Sequence, residues 1–272
     1  MRPSRLVPRR TLRTRSLSLQ SDYLERRVEL TVLMPPGYRL HLLRRYPVVL
    51  LNDGQDFTAL RLRERIAHAY RAGVLVPMLI VGIHANEARL REYGTSRRPD
   101  YAGRGDLADQ HRKFVVGELL PLLDQQFRTR AERTARAIGG FSLGGLSAFD
   151  IAWNHELHFG YVGCFSASFW WSATPFDARH PDSGRIIPDR IRMAVRAADL
   201  RYFFMAGGAE ETSDRNGNGI IDVVDDTLDV IAALREQGVT GRNIVYRYVE
   251  DGRHDQDTWG PVLIDWLKQL FR

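Results

Sequence analysis

Cysteine is almost absent from this sequence, because Cys164 is the only one in 272 residues. A lone cysteine excludes a disulfide within the chain, and disulfides are typical of oxidising compartments. Cys164 lies in an apolar run, which predicts a buried structural thiol rather than a reactive one. The twin arginine Arg9-Arg10 is not followed by an apolar stretch, so we predict no export signal and a cytoplasmic location.

Long apolar runs are missing as well. No stretch approaches the roughly eighteen consecutive apolar residues of a membrane-spanning helix, so we predict no membrane partner. A chain of 272 residues with 44% hydrophobic content is nevertheless long and apolar enough to bury one large core. Oligomeric state is left open by these features.

Lysine is scarce too, since Lys113 and Lys268 are the only lysines among 39 basic residues. The net charge of +6 therefore comes from arginines scattered along the chain, without the alternating basic and aromatic residues of a nucleic-acid groove. We predict no nucleic-acid partner. Residues 1–22 are predicted to be a disordered basic tail, with a polyanion-binding role as the alternative, and contain Arg2, Arg5, Arg9, Arg10, Arg13 and Arg15.

Short apolar segments alternate with helical patterns after this tail. Predicted strands cover residues 27–34, 47–51, 78–83, 134–138, 161–166, 200–206 and 244–249. Predicted helices cover residues 57–72, 107–127, 143–153, 226–237 and 259–271. The alternation predicts an α/β fold in which a mostly parallel sheet carries helices on both faces. Residues 23–272 are predicted to form one domain, and residues 169–198, which lack a clear period, a cap or cleft-lining insertion.

The run Gly140-Phe141-Ser142-Leu143-Gly144 lies between a predicted strand and a predicted helix. A serine flanked by glycines at such a turn is held in a strained conformation that projects its hydroxyl into a cleft. The first amides of the following helix point at any oxyanion formed there. We therefore predict that Ser142 is a nucleophile, and the alternative is an ordinary turn serine.

A serine nucleophile needs a base and a carboxylate, which follow it in the chain order serine, acid, histidine. His254 is the histidine that comes after the last predicted strand, whereas His84 falls in the wrong order. The carboxylate is expected after the preceding strand, where Glu210 is the first candidate and Glu211 the second. Two alternatives remain open: both glutamates are solvated loop residues, or one of them is a metal ligand.

An oxyanion hole needs one amide just after the nucleophile and a second one from the loop after an early strand. Leu143 supplies the first amide. The loop Asn52-Asp53-Gly54-Gln55 follows an early strand, and Gln55 is the predicted second donor.

At this point the chain resembles a known family, the "Putative esterase" branch of α/β-hydrolases, and especially its enterochelin-esterase-like members. The resemblance rests on a combination of short stretches from residue 33 to the C-terminus, namely Leu33-Met34-Pro35-Pro36-Gly37-Tyr38, Leu51-Asn52-Asp53-Gly54-Gln55, Arg89-Leu90-Arg91-Glu92-Tyr93, Gly140-Phe141-Ser142-Leu143-Gly144-Gly145, Phe165-Ser166-Ala167-Ser168-Phe169-Trp170-Trp171 and Gly252-Arg253-His254-Asp255-Gln256-Asp257-Thr258-Trp259.

The resemblance implies an α/β-hydrolase fold and a serine esterase that acts on a small ester without an organic cofactor. Its implied site residues are Ser142, His254 and the amides of Gln55 and Leu143. The family includes feruloyl and acetyl-xylan esterases, which act on different esters, and some members are acyltransferases. The resemblance therefore does not predict the substrate of this chain. An acyltransferase with the same triad and a catalytically silent binding protein are the alternatives to a hydrolase.

Three further residues are candidates for substrate contact. Trp170 and Trp171 form an aromatic pair that suits an aryl or sugar group, although packing is the commoner role of such residues. Arg89 belongs to a set of arginines that could attract an anionic substrate, or simply be solvated.

Residues 214–225 have the pattern of a calcium loop. Oxygen-bearing side chains fall at loop positions one, three, five, nine and twelve, and a glycine falls at position six. The predicted ligands of a structural Ca²⁺ are Asp214, Asn216, Asn218, the carbonyl of Ile220, Asp222 and Asp225. Asp225 replaces the usual glutamate, as in dockerin-type loops. The alternative is a solvated acidic turn that caps the next helix, with Asp225 or Asp226 at the N-cap.

Overall fold

The structure, a computed structural model, describes residues 11–272. In these residues, eight strands form a single sheet in the order β1-β2-β4-β3-β5-β6-β7-β8. They are β1 (Arg13–Ser21), β2 (Arg26–Met34), β3 (Val48–Asn52), β4 (Leu79–Ile83), β5 (Arg136–Phe141), β6 (Tyr161–Phe165), β7 (Arg201–Gly207) and β8 (Ile244–Val249). Strands β3 to β8 are parallel, and β1 and β2 pair antiparallel at one edge.

The helices occupy both faces of the sheet. They are α1 (Leu62–Arg71), α2 (Arg89–Glu92), α3 (Ala108–Lys113), α4 (Leu120–Gln126), α5 (Leu143–Asn154), α6 (Ile186–Arg192), α7 (Asp222–Glu236) and α8 (Gln256–Gln269). A π-helical segment, Phe114–Leu119, joins α3 to α4, so the predicted long helix at 107–127 is present in three parts. The predicted α/β architecture is confirmed.

Side chains that alternate along each strand divide the core between the two faces. Val48 and Leu50 of β3 belong to the same core cluster as residues of α5, α6 and α7, whereas Val49 and Leu51 belong to a second cluster with residues of α1 and α8. Both layers are well buried. This is expected of a parallel sheet, because its strands are covered on both faces and are therefore apolar along their whole length. Cys164 lies in this core without a disulfide partner, and burial raises the pKa of its thiol well above the ordinary range.

The N-terminal prediction is wrong for residues 13–21, which form β1 instead of a disordered tail. Every residue of β1 pairs with β2, from Arg13 opposite Met34 to Ser21 opposite Arg26. The strand is largely exposed, so its arginines remain in solvent while its backbone extends the sheet. Arg2, Arg5, Arg9 and Arg10 of the predicted tail lie outside the described residues.

Residues 169–198 connect β6 to β7 and only partly resemble a cap. Trp171 and the α6 residues Ile187 and Ile191 are buried in the core, so this part of the segment belongs to the helix layer. Trp170 is exposed. The cleft-lining role therefore stays a prediction for the start of the segment. None of the helices in residues 11–272 is long and apolar enough to cross a membrane.

His111 of α3 is buried between aromatic rings, and we expect it to make stability depend on pH. Neither ring nitrogen has a hydrogen-bond partner among residues 11–272, and burial lowers the pKa of His111 from 6.5 to about 4. Between these values the unfolded chain binds a proton that the folded chain does not, so the free energy of unfolding falls as the pH falls.

We expect His111→Phe to reduce the loss of stability between pH 7 and pH 5 by about 2 kcal/mol. Phenylalanine preserves an aromatic ring beside Tyr93 and Phe114 without a titratable nitrogen. Denaturant unfolding of both proteins at the two pH values measures the difference. Equal pH dependence in variant and wild type would contradict it.

Candidate active site

Ser142 lies at the turn between β5 and α5, in the conformation predicted for a nucleophile. Its φ of 53° and ψ of −124° lie outside the regions that L-residues favour. A Cβ at Gly140 would lie 2.4 Å from the carbonyl oxygen of Gly144, so the tight turn tolerates only glycine at position 140. The turn therefore holds the Ser142 side chain at the carboxyl end of the parallel sheet, where α/β folds place their ligands.

Glu210 and His254 form a direct pair at the same edge of the sheet. The Nδ1 atom of His254 lies 2.9 Å from Oε2 of Glu210. The Glu210 side chain is only 1% exposed, whereas that of His254 is 43% exposed. His84, the alternative histidine, contacts Thr31 instead, at 2.8 Å. The order serine, acid, histidine thus corresponds to loops after β5, β7 and β8.

Glu211 points elsewhere and has a different role. Its Oε1 accepts a hydrogen bond of 2.7 Å from the backbone N–H of Val223, in the first turn of α7. Burial raises the pKa of Glu211 above its usual value. Of the two candidate carboxylates, only Glu210 contacts a histidine among the described residues.

The nucleophile and the Glu210–His254 pair are close in the fold but not hydrogen-bonded. Within residues 11–272, the hydroxyl of Ser142 has one hydrogen-bond partner, the hydroxyl of Ser168 at 3.5 Å. Aromatic contacts connect the residue before Ser142 to His254, because Trp259 stacks on Phe141 and meets the His254 ring edge-on. Catalytic hydrogen bonds are often long in ligand-free proteins and shorten only when substrate binds.

The two predicted oxyanion donors belong to segments that are bonded to each other. Leu143 is the first residue of α5, where the amide has no partner within the helix. The side-chain amide of Asn52 donates a 2.8 Å hydrogen bond to the carbonyl of Gly144, which fixes the loop after β3 against this helix. The Gln55 side chain is held by Asp53 and by the N–H of Ala85.

Arg89 has a structural partner in this loop. Its guanidinium makes two hydrogen bonds, of 2.7 and 2.8 Å, to the buried carboxylate of Asp53. Asp53 has a left-handed φ of 61° at the start of the oxyanion loop, so the ion pair braces that loop. Contact between Arg89 and a substrate stays a prediction.

The aromatic pair after β6 divides into one exposed and one buried ring. Trp170 is 42% exposed and available to a ligand, and it packs against the guanidinium of Arg104. Trp171 is fully buried, against the backbone of Gly94 and Gly105. The prediction that Trp171 contacts substrate is therefore wrong, because close packing on two glycines removes its whole side chain from solvent.

Residues 214–225 adopt part of the arrangement expected of a calcium loop. Inward-facing oxygens of Asp214, Asn216 and Asn218 accept hydrogen bonds from loop amides, at 2.8, 3.1 and 2.8 Å respectively. The carboxylate of Asp225 accepts from the Asn216 side chain, and that of Asp222 from the Arg215 amide. Among the residues described, no three His, Cys, Asp or Glu side chains group as a metal site.

The loop thus fits calcium at its first three side chains, which carry the oxygen ligands that this ion prefers. Asp225 can bind the ion only if its carboxylate gives up the hydrogen bond that it accepts from Asn216. The alternative, in which Asp225 or Asp226 is the N-cap of the next helix, is wrong. Helix α7 begins at Asp222, and its N-cap residue is Ile221, which makes no side-chain cap.

Sequence reasoning did not assign roles to Ser166 and Trp259, although both lie in the stretches that carry the family resemblance. Ser166 donates a 2.5 Å hydrogen bond to Glu210, and Trp259 donates a 2.8 Å hydrogen bond to Ser166. Their sequence signal is position alone: one follows β6 directly, and the other lies five residues after His254.

Comparison with known proteins identifies the family of this chain. The model of the family described as "Putative esterase" matches residues 21–270. An uncharacterised Bacillus subtilis protein, YbbA, is 25% identical over 245 residues, which cover 89% of this chain and 91% of that protein. The iron(III) salmochelin esterase of Escherichia coli O6:H1 is 26% identical over 231 residues, which cover 82% of this chain and 50% of the esterase.

Solved structures share the fold at lower identity. A ferulic acid esterase superimposes with a TM-score of 0.73 at 21% identity, covering 95% of this chain and 97% of the other. The enterobactin esterase of Shigella flexneri, crystallised in the presence of enterobactin, gives a TM-score of 0.75 at 21% identity. That match covers 95% of this chain and 58% of the enterobactin esterase. The predicted α/β-hydrolase fold is confirmed.

Proposed function

The chain belongs to the "Putative esterase" family, and from this premise we propose that it is a serine carboxylic-ester hydrolase that acts through an acyl-enzyme. Membership supports ester hydrolysis of a small molecule. The serine mechanism is our inference, and the observation that carries it is the Glu210–His254 pair beside the strained turn at Ser142.

In the proposed acylation step, the Ser142 oxygen attacks the ester carbonyl carbon while Nε2 of His254 takes the hydroxyl proton. Glu210 accepts a hydrogen bond from Nδ1–H, which leaves Nε2 free to act as the base and stabilises the imidazolium that forms. The amides of Leu143 and Gln55 stabilise the negative oxygen of the tetrahedral intermediate. His254 then returns the proton to the leaving alcohol.

Deacylation repeats these steps with water as the nucleophile. His254 takes a proton from water, the hydroxide attacks the acyl carbon, and the bond to Ser142 breaks as the serine oxygen recovers a proton. The acid product leaves and the free enzyme is restored. An acyltransferase would use the same triad with an alcohol in place of water.

A panel of esters with acyl groups of different size and aromaticity tests this function. We expect purified protein to release acid and alcohol in equal amounts from at least one ester, and turnover to require no added metal or organic cofactor. Product analysis with an added alcohol identifies any acyl transfer. No turnover above the uncatalysed rate of any ester would support the silent binding protein instead.

We also propose that residues 214–225 bind a structural Ca²⁺ that fixes the segment carrying Glu210. The proposal is supported by the inward oxygens of Asp214, Asn216 and Asn218 and by the position of the loop, four residues after Glu210. When bound, calcium would draw these oxygens together and offset the charges of the loop carboxylates. The ion has no part in bond cleavage.

Removing calcium should therefore lower the melting temperature. At a hundredfold excess over Kd, an ion that binds only the folded state adds about 2.7 kcal/mol, or about 5–10 °C for a chain of this size. We expect calcium, and not zinc, to restore the melting temperature of chelator-treated protein. Asp214→Ala should abolish the response, whereas Asp177→Ala, outside the loop, should retain it. A melting temperature indifferent to chelator and calcium in the wild type would exclude the site.

A further inference from the structure

The buried side of the Glu210–His254 pair carries a closed ring of contacts that ester hydrolysis alone does not explain. Oε1 of Glu210 accepts two hydrogen bonds, 2.5 Å from the hydroxyl of Ser166 and 2.6 Å from the N–H of Gly207. Ser166 in turn accepts a 2.8 Å hydrogen bond from the indole Nε1–H of Trp259. The ring of Trp259 meets the His254 imidazole at 4.9 Å and 80°, which closes the circuit.

The direction of the hydrogen bonds in this ring is fixed by chemistry. An indole N–H can only donate, and an ionised carboxylate can only accept. A hydroxyl between them must accept from Trp259 and donate to Glu210. The thioether of Met205 also lies within reach of Ser166, at 3.5 Å, but sulfur is a weak acceptor and the carboxylate is 1.0 Å closer.

Trp259 contacts one member of the proposed triad directly and a neighbour of each of the other two. It stacks on Phe141, the residue before the nucleophile, at 5.1 Å and 23°. It touches His254 directly, and it reaches Glu210 through Ser166. Ser166 has a left-handed φ of 46°, a conformation that a serine rarely adopts and that surrounding contacts must maintain.

We propose that Ser166 and Trp259 are positioning residues that hold Glu210 and His254 in the orientation needed for proton transfer. This inference rests on the proposed serine hydrolysis. The contacts of the half-exposed His254 ring in the described part of the chain are with Glu210 on one side and with Trp259 on the other, so its orientation depends on these two residues. Ser166 connects these two restraints, and the buried carboxylate of Glu210 depends on its donors for orientation.

Two substitutions remove hydrogen bonds from the ring: Ser166→Ala removes two of them and Trp259→Phe removes one. Ser166→Ala deletes the donor to Glu210 and the acceptor of the indole. Trp259→Phe replaces the indole with a smaller phenyl ring, so it deletes the N–H donor to Ser166 and part of the ring surface while an aromatic ring remains against His254 and Phe141. Misplacement of a catalytic group lowers kcat by up to about a hundredfold, so we expect losses of about tenfold to a hundredfold with KM changed by less than about threefold.

The double variant distinguishes a connected ring from two separate packing effects. If both side chains act through the same hydrogen-bonded connection, Ser166→Ala/Trp259→Phe should lose little more kcat than Ser166→Ala alone. Independent effects would multiply instead.

Matched controls elsewhere in the chain measure what a purely structural loss does. Ser21 is also a fully buried serine that donates to a glutamate, Glu118 at 2.6 Å, and accepts from a backbone N–H, that of Leu24. Trp153 of α5 stacks on the ring of Phe149 and is the matched tryptophan. Ser21→Ala and Trp153→Phe should lower the melting temperature by amounts similar to those of Ser166→Ala and Trp259→Phe, and should leave kcat unchanged.

The inference is overturned if Ser166→Ala and Trp259→Phe match these controls in kcat while wild-type protein hydrolyses esters. It is also overturned if the two losses in kcat multiply in the double variant. Wild-type protein that turns over no ester and reacts with no fluorophosphonate would refute the proposed function itself, and this inference with it. The wild-type assay therefore separates the two failures.

Discussion

Replacing Ser142 or His254 with alanine is expected to lower kcat on the best ester by about four to six orders of magnitude. Ser142 supplies the attacking oxygen, and without His254 that oxygen keeps its proton and remains a poor nucleophile. Because the two side chains act in one step, the double variant should be little slower than either single variant. Steady-state kinetics on the three proteins, with folding checked by circular dichroism, measures these effects.

Two controls accompany this prediction. Ser147→Ala changes another serine of α5, and His84→Ala removes the alternative histidine, which contacts Thr31 instead of Glu210. Both should retain turnover close to that of the wild type. His254→Ala with near wild-type kcat, or His84→Ala with a loss of several orders, would refute the assignment of the base.

Glu210→Gln is expected to lower kcat by about three to four orders of magnitude, by analogy with the orienting carboxylate of serine proteases. Glutamine can present an N–H to Nδ1 of His254, which favours the tautomer whose Nε2 already carries a proton. That tautomer cannot take the proton of Ser142. The amide side chain also offers a weaker acceptor to Ser166 and to the N–H of Gly207.

Glu211→Gln is the matched control, since it makes the same change in the adjacent residue. Its side chain accepts from the N–H of Val223, and a glutamine oxygen can still accept that hydrogen bond. We expect kcat to be nearly unchanged. Equal effects of the two substitutions would assign the acid to another residue.

The position of the proposed triad was largely predictable because it depends on local patterns. A serine between glycines, after an apolar strand and before a helix, specifies the strained turn at Ser142. Parallel strands deliver their following loops to one edge of the sheet, so residues soon after β7 and β8 were expected to meet there. Glu210 and His254 satisfy that expectation with a direct contact.

Features that depend on tertiary partners were not predictable in the same way. The many arginines of residues 13–21 suggested disorder, yet pairing with β2 forms a strand because backbone groups, not side chains, make that contact. Trp170 and Trp171 are adjacent and chemically identical, but only one faces the two glycines that bury it. Glu211 differs from Glu210 because its carboxylate reaches the amide of Val223, which has no partner within the first turn of α7.

The central claim, that Ser142 is a nucleophile activated by His254, is tested most directly by trapping the serine covalently. A fluorophosphonate ester should add one phosphonyl group per chain, and peptide mapping by mass spectrometry should place it on Ser142. Ser142→Ala should not react, and His254→Ala should react far more slowly than the wild type. An adduct on another residue, or equal labelling of wild type and Ser142→Ala, would contradict the account.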